Sequence, residues 1–485
     1  MRFTQQLRAL ARGTSPYRRF AIAALLTAAG LAAAALPAQA LPSYARQTGF
    51  SCAACHTIYP ELTPLGRRFK LTGYVLTTTP TQGTAEEQYV LNRTPPLSAM
   101  VMISETQTQK AQPDSAAGTT ANPGAKAQNP SVSFPQQVSL FYAGRISPST
   151  GTFLQITYSG QGDHFSMDNT DIRIVEQGAQ FVYGLTLNNN PTVQDLWNST
   201  PAFGYRYASS NFAPVPGAAI QLDSSLAQKV AGLGGYAAWL RGSSFLYGEL
   251  SFYQSFQPGA TQPLDSTASS PVVKDTAPYL RAAYEVNWAT SSLEIGALGM
   301  NTDLLPTGLA TGSTACASAG PPVTPNCNKG LNQVKPNKFA DSGIDGQFQY
   351  IPSDQTILTA NAIWLHEEQA WGADSLAVTG SNHYDHLDTQ RITGSYYHNR
   401  TEGIVAQWFS TSGSKDAGLY AANRTHTPNS DGYVVELVYN PYLNTRYSLQ
   451  YTVYNTFNGA ANNWDGAGAK ATDNNTLYLL AWLMF

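Results

Sequence analysis

The feature that most limits what this chain can become is a repeated two-residue alternation of side-chain character. In "TRYSLQYTVYNTF", Tyr447, Leu449, Tyr451 and Val453 alternate with Arg446, Ser448, Gln450 and Thr452. In "GYVVELVYNPY", Tyr433, Val435, Leu437 and Tyr439 share one face, with Glu436 and Asn440 on the other. A period of two belongs to a strand whose faces meet different surroundings. Comparable segments lie near 97–107, 136–147, 150–160, 165–177, 179–190, 229–241, 244–256 and 277–288. The rest lie near 291–304, 337–351, 355–369, 385–399, 401–413, 431–442, 444–457 and 475–485. Their number is even, each holds about ten residues or more, and aromatics gather toward the ends, as in bacterial outer-membrane barrels.

The connections carry the same message. Tight turns such as 145–150 and 440–444 alternate with long Gly/Ser/Asn/Pro-rich excursions, apart from one brief link at 161–164. The chain ends "NTLYLLAWLMF", with Leu477, Leu479, Ala481, Leu483 and the terminal Phe485 at two-residue steps, in the manner of an outer-membrane assembly signal. A soluble all-β sandwich shares the alternation, but not the loop asymmetry or a last strand that is apolar on both faces. The sequence therefore predicts an all-β transmembrane outer-membrane barrel of about sixteen antiparallel strands over residues 96–485. Its termini are expected in the periplasm and its long loops outside. Charged residues are only 12% of the chain, and the net charge is −3. Polarity is carried by Ser, Thr, Asn and Gln, and bulk charge gives no reason for a nucleic-acid partner.

The first forty residues read as a cleaved signal peptide. Arg2, Arg8, Arg12, Arg18 and Arg19 precede an apolar run from Ala21 to Leu36, and Ala38-Gln39-Ala40 supplies a small-x-small site before Leu41. An uncleaved anchor is the other reading of that run; its short Ala-rich length and the cleavage pattern speak against it. Export would place Cys316 and Cys327 in an oxidising compartment, where a loop-closing disulfide is the simplest reading. A metal site there would need further ligands, since no His or acidic residue lies between them.

Residues 41–95 form a different kind of segment, expected as a partly helical plug. Cys52-Ala53-Ala54-Cys55-His56 is C-x-x-C-H, the spacing at which two thiols bond haem vinyl groups and the adjacent histidine binds iron. A bare C-x-x-C also serves as a redox dithiol or as half a zinc site, but no second cysteine pair with zinc spacing follows. Thr63-Pro64 then predicts a capped helix start, with Leu62, Leu65 and Phe69 at helical spacing. Arg67, Arg68 and Lys70 fall toward its end; they form a solvated basic face or include a cation that neutralises a haem propionate.

Between Leu41 and Pro96 there is no methionine, and His56 is the only histidine. A segment of about 55 residues is also marginal for enclosing a haem alone, so the distal face must be covered by the barrel. In "LSAMVMISETQT", Leu97, Ala99, Val101 and Ile103 form the lipid-facing set, which leaves Ser98, Met100, Met102, Ser104 and Thr106 to the lumen. Met100 or Met102 is the candidate distal ligand, with Met167, Met300 and His164 as rivals. Packing of both methionines against the plug is the plain alternative.

The stretches "ARQTGFSCAACHTIYPELTPLGRRFKLTGY" (45–74) and "NNNPTVQDLWNSTPAFGY" (188–205), together with the barrel and its terminal Phe, resemble the fused outer-membrane monohaem cytochrome c–porin family of iron-oxidising bacteria. The resemblance covers the whole chain after the leader. It implies a cell-surface iron oxidase that takes one electron from extracellular Fe(II) and passes it to a periplasmic cytochrome c or blue-copper protein. Cys52, Cys55 and His56 match the family's haem motif position by position. His56 is then the proximal ligand and the group at the centre of the redox chemistry. Among the loop acids, Asp195 and Asp374 are candidates for attracting Fe(II), although ordinary solvated loop charge explains them as well. The competing expectations are a porin whose haem segment is a plug or redox gate, and a haem-anchored binding protein without electron turnover.

Overall fold

The computed structural model describes residues 41–78, 94–111, 129–255, 272–305 and 335–485, the last without 374, 377–380 and 443. It also describes the short strands Thr81–Gln82, Leu91–Asn92, Thr261–Gln262 and Asp265–Ser269.

Sixteen strands close into one antiparallel barrel. They are β1 (Leu97–Thr108), β2 (Ser131–Ser147), β3 (Thr150–Ser159), β4 (His164–Gln177), β5 (Phe181–Asn188), β6 (Val230–Arg241), β7 (Ser244–Ser255) and β8 (Ala277–Asn287). The circuit continues with β9 (Ser291–Leu305), β10 (Asn337–Ser353), β11 (Thr356–Ala370), β12 (Tyr384–His398), β13 (Glu402–Gly413), β14 (Ser430–Tyr439), β15 (Thr445–Thr456) and β16 (Thr476–Met484). Closure is made by β16 against β1, with Thr476 opposite Thr108 and Met484 opposite Met100. Each predicted segment is a strand. The largest difference is at β2, which begins at Ser131 rather than near 136. Pro135 has no N–H for the ladder, and the pairing with β1 shifts register between Met102 and Ser104 before resuming at Ser104 and Ser133.

The alternation separates outside from inside. Tyr433, Val435, Leu437 and Tyr439 of β14 face outward and are exposed, whereas Glu436 is fully buried in the lumen. Outward aromatics form two girdles, with Trp239, Trp288, Tyr396 and Tyr439 near the tight turns and Phe252, Tyr384 and Tyr433 near the long loops. An apolar band between aromatic girdles is the exterior of a membrane-spanning barrel.

The lumen is filled in its tight-turn half. Three short helices enter there: α1 (Pro42–Thr48), α2 (Cys52–Cys55) and α3 (Pro64–Leu71). The hydroxyl of Thr63 accepts the N–H of Gly66 and caps α3. At the other end the N–H of Gly73 donates to the Lys70 carbonyl and that of Tyr74 to the Phe69 carbonyl, a Schellman closure that needs the positive φ of Gly73. From the opposite side the connection between β5 and β6 folds inward, burying Val193, Leu196 and Trp197 completely. Leu71 and Val75 of the plug, Leu196 and Trp197 of this loop, and Val175, Tyr236 and Tyr247 of the wall share one apolar cluster.

Buried ion pairs fasten these contents to the wall and to each other. Arg67 pairs with Glu285 at 2.7 Å, Arg206 of the loop with Glu61 of the plug at 2.9 Å, and Arg281 with Asp195, Glu294 and Asp345 at 2.8–3.2 Å. Asp195 is thus not an exposed outer-loop acid. The loop turns inward to bury Trp197 and carries the carboxylate with it, where it also accepts the N–H groups of Trp197, Ser199 and Thr200. Asp374, Cys316 and Cys327 lie outside the described residues.

Candidate functional site

The C-x-x-C-H residues occupy a single tight turn. Cys52 and Cys55 open and close α2, and the His56 N–H donates to the Cys52 carbonyl at 2.8 Å. The next segment is locked to the wall through Glu61. Its carboxylate holds Arg206 and accepts hydrogen bonds from Thr359 of β11 and from Thr57. The Glu61 carbonyl lies 3.2 Å from His56 Nδ1. That contact assigns the proton to Nδ1 and leaves Nε2 as the nitrogen with a free lone pair, the arrangement usual for a metal-binding imidazole. Helix α3 packs against the motif at Gly66, where an added Cβ would stand 2.1 Å from the Cys55 carbonyl oxygen. Only glycine permits that approach.

Cys52, Cys55 and His56 all line one cleft with a cavity volume of about 100 Å³. Leu41, Leu62, Phe69, Phe153, Val193 and Phe203 make its apolar walls, and exposed Phe50 and Ser51 border it. Burial holds the imidazole neutral, with a pKa lowered to about 4 against the opposing hydrogen bond to Glu61. Burial, helped by Cys52, pushes the Cys55 thiol up to about 11. A thiol held protonated is unlike the activated thiolate of a disulfide-exchange site.

The cation that lines this cleft is Lys70. Its ammonium donates to the Val193 carbonyl at 2.7 Å and to Asn198 Oδ1 at 2.9 Å, and lies 5.4 Å from the Phe203 ring centre. Burial first and Arg173 second lower its pKa to about 7. Arg67 points away from the cleft. Besides Glu285 it bonds the Leu62 carbonyl, Gln349 and Ser292, so it is an anchor to the wall. Arg68 is exposed and does not line the cleft.

Met100 and Met102 face the lumen, as the alternation predicts, but neither lines the cleft. They border a second, larger cavity of about 690 Å³ on the long-loop side, walled by amides, hydroxyls and aromatics. Tyr59 and Phe203 line both spaces. The Tyr59 ring lies 4.8 Å from Trp482 and 6.1 Å from His56 between centres, so it stands between the methionines' cavity and the cleft. Met167, Met300 and His164 do not line the cleft either. Among the described residues its lining holds no methionine and no histidine besides His56. Lys70 is one of the three cations the sequence offered for that role, whereas the contributions of Val193, Asn198 and Phe203 were not foreseen. Only the aperiodic, Asn/Pro/aromatic-rich stretch 188–205 hinted that the β5–β6 loop does more than connect strands.

No family model matches the chain, and no curated protein sequence matches it. Among solved structures it is similar to in-vitro folded OmpT of Vibrio cholerae in its trimer form, at 11% identity and a TM-score of 0.43, covering 80% of this chain and 98% of that one. The outer membrane channel DcaP of Acinetobacter baumannii is 12% identical with a TM-score of 0.39, covering 80% and 96%. A mutant of the Rh. blastica porin is 11% identical with a TM-score of 0.37, covering 80% and 99%. Likeness at this distance carries no argument about activity, and the barrel is established by its own ladders.

Proposed function

We propose that this barrel is an outer-membrane cytochrome–porin fusion that oxidises extracellular Fe(II) and delivers single electrons to a periplasmic cytochrome c or blue-copper protein. The observation that carries the reading is the convergence of Cys52, Cys55 and His56 on one cleft inside the lumen. Two thiols are poised there for covalent attachment, and an imidazole is oriented by Glu61 with Nε2 open. These residues fit a c-type haem, which when bound supplies a one-electron couple at a fixed depth in the membrane.

The remaining chemistry belongs to the chain. Cys52 and Cys55 prevent loss of the group to the medium, and the Glu61 carbonyl fixes the tautomer and plane of His56. Lys70 replaces Arg67 and Arg68 as the cation available to a haem carboxylate, because it alone of the three lines the cleft. Apolar Leu41, Phe69, Phe153 and Phe203 would limit water around a haem held in the cleft, a lever on potential. The tight-turn end, where the plug, Leu41 and Phe485 lie, is assigned to the periplasm and the long loops to the outside. The plug and the inward loop stand between the two faces, which supports electron passage rather than solute passage.

The test is rapid mixing of the purified oxidised protein with Fe(II) while following the haem absorption bands. Reduction that saturates at one Fe(II) per protein, together with little sugar flux through the protein in liposomes, supports this reading. Persistently ferric haem with free permeation of sugars would establish the porin reading instead.

A further inference from the structure

The wall of the lumen carries two carboxyl groups that the haem site does not use. Asp341 of β10 and Glu367 of β11 stand directly opposite each other in the ladder. Both face inward and both are buried, at 5% and 0% exposure. Directly opposed residues on one face of an antiparallel pair have Cβ atoms about 4.5–5.5 Å apart, and Asp341 Oδ1 finds no donor. Among the described residues neither forms an ion pair with a lysine or arginine. Two buried carboxylates side by side cannot both stay ionised without a cation.

Their surroundings do not supply one. The loop segment packed on them brings Asp223, whose charge is taken up by Arg391 of β12. The connection after β13 brings Tyr420, which adjoins Asp385 and Asp416. β9 places Met300 opposite Asp341, and β12 places Leu387 opposite Glu367. His366 lies on the outward face of β11 beside Asp388. The remaining acceptors are occupied by the inward loop and by Gln369 of β11. Glu367 Oε2 accepts the Gln221 N–H at 2.6 Å and Asp341 Oδ2 accepts the Leu222 N–H at 2.9 Å, while Gln369 donates to Glu367 Oε1 at 2.6 Å.

We infer that Asp341 and Glu367 hold one proton between them and act as an acid-strengthened latch on the loop segment Ile220–Leu226. In the latched state the O–H of one carboxyl donates to the other, and both still accept loop N–H groups. When pH rises the proton leaves to solvent, two negative charges face each other, and the segment loses its anchor. Ile220, Leu222 and Leu226 also pack on Tyr253, Tyr279, Leu298 and Leu365, so release is a local loosening and not loss of the barrel. The segment borders the large lumen cavity through Asp223, which makes the latch a control on that vestibule. This inference is independent of the haem reading.

The experiment is amide hydrogen exchange on the full chain in detergent, expressed as protection factors so that the intrinsic pH dependence of exchange divides out. Protection across Ile220–Leu226 should fall about tenfold from mildly acid to mildly alkaline pH. It should be flat in Asp341→Asn, whose amide can still donate to Glu367. An infrared band of a protonated carboxyl should be present in acid, disappear over the same range and be missing from the variant. Should Asp341→Asn fail to form the barrel, Glu367→Gln takes its place. Protection that does not change with pH in the parent protein, the same fall in either folded variant, or no protonated-carboxyl band in acid would each overturn the latch.

Discussion

The barrel wall and the material inside it are built on opposite plans. The wall applies one rule sixteen times. Each strand turns apolar residues outward, and every ladder bond has neighbours of the same kind, so no single position carries the fold. The contents use each device once. One capped helix, one inward loop, one carbonyl behind His56 and a handful of buried charges hold the plug in place. A repeated structure spreads the cost of a substitution, whereas a singular one concentrates it. Damage to function should therefore track position inside the lumen far more closely than position in the membrane.

The largest effect expected on the lumen side is all-or-none. Changing Cys52 and Cys55 together to serine should abolish covalent haem, read as loss of haem staining after denaturing electrophoresis, while the barrel still assembles. Full staining of that double variant would remove the haem assignment. Next comes the anchor of the plug. Arg67→Ala strands Glu285, fully buried without its partner, and should cost about 3–5 kcal/mol in denaturant unfolding. Arg67→Met combined with Glu285→Met should recover much of that loss, because replacing a whole buried pair is often near neutral. A change at Arg67 no larger than that of an outward wall residue would collapse the distinction between the two regions.

This contrast also explains what could be read from the sequence. The wall was legible because a period of two repeats many times, and the largest error falls where a proline and a register shift come together, at Pro135 in β2. The start of α3 was legible too, since Thr63-Pro64 is a local signal that needs no tertiary information. The side-chain directions within that helix were not. Arg67, Arg68 and Lys70 lie within four consecutive positions, and only the packing of α3 against Gln349 on one side and Val193 on another decides which faces the cleft. Met100 and Met102 were placed on the correct face of β1, but facing the lumen does not fix which space within it they border. Asp195 was misplaced because nothing local marks a loop that folds inward.

Lys70 gives a medium-sized test of the same distinction, and one with a sign. Its pKa falls from the ordinary lysine value to about 7, mainly through burial. Between about 7 and the unfolded value near 10.4 the unfolded chain binds more protons, so stability rises with pH across that window. Relative to Lys70→Met, the parent protein should gain stability from about pH 7 upward and level off beyond the unfolded value. The check is a set of urea midpoints at several pH values. A constant difference between the two proteins would mean that the ammonium is solvated, and that the cleft is wetter than its walls imply.

The smallest effect is expected where the two regions meet at the surface. Arg400, in the turn between β12 and β13, pairs with Asp354 at 3.1 Å and also donates to the His56 and Thr57 carbonyls at 3.0 and 3.1 Å. The Asp354 side chain is 90% exposed, so the ion pair is screened by solvent, and Asp354→Asn should change stability by well under about 1 kcal/mol. The carbonyl contacts are of another kind, since they tie the motif's own turn to the rim of the barrel. Arg400→Ala should therefore exceed Asp354→Asn in effect, and should do so in the haem spectrum as well as in the unfolding midpoint. Equal effects of the two variants would show that Arg400 serves only the surface pair, and that the wall reaches the site solely through the buried contacts around Glu61 and Arg67.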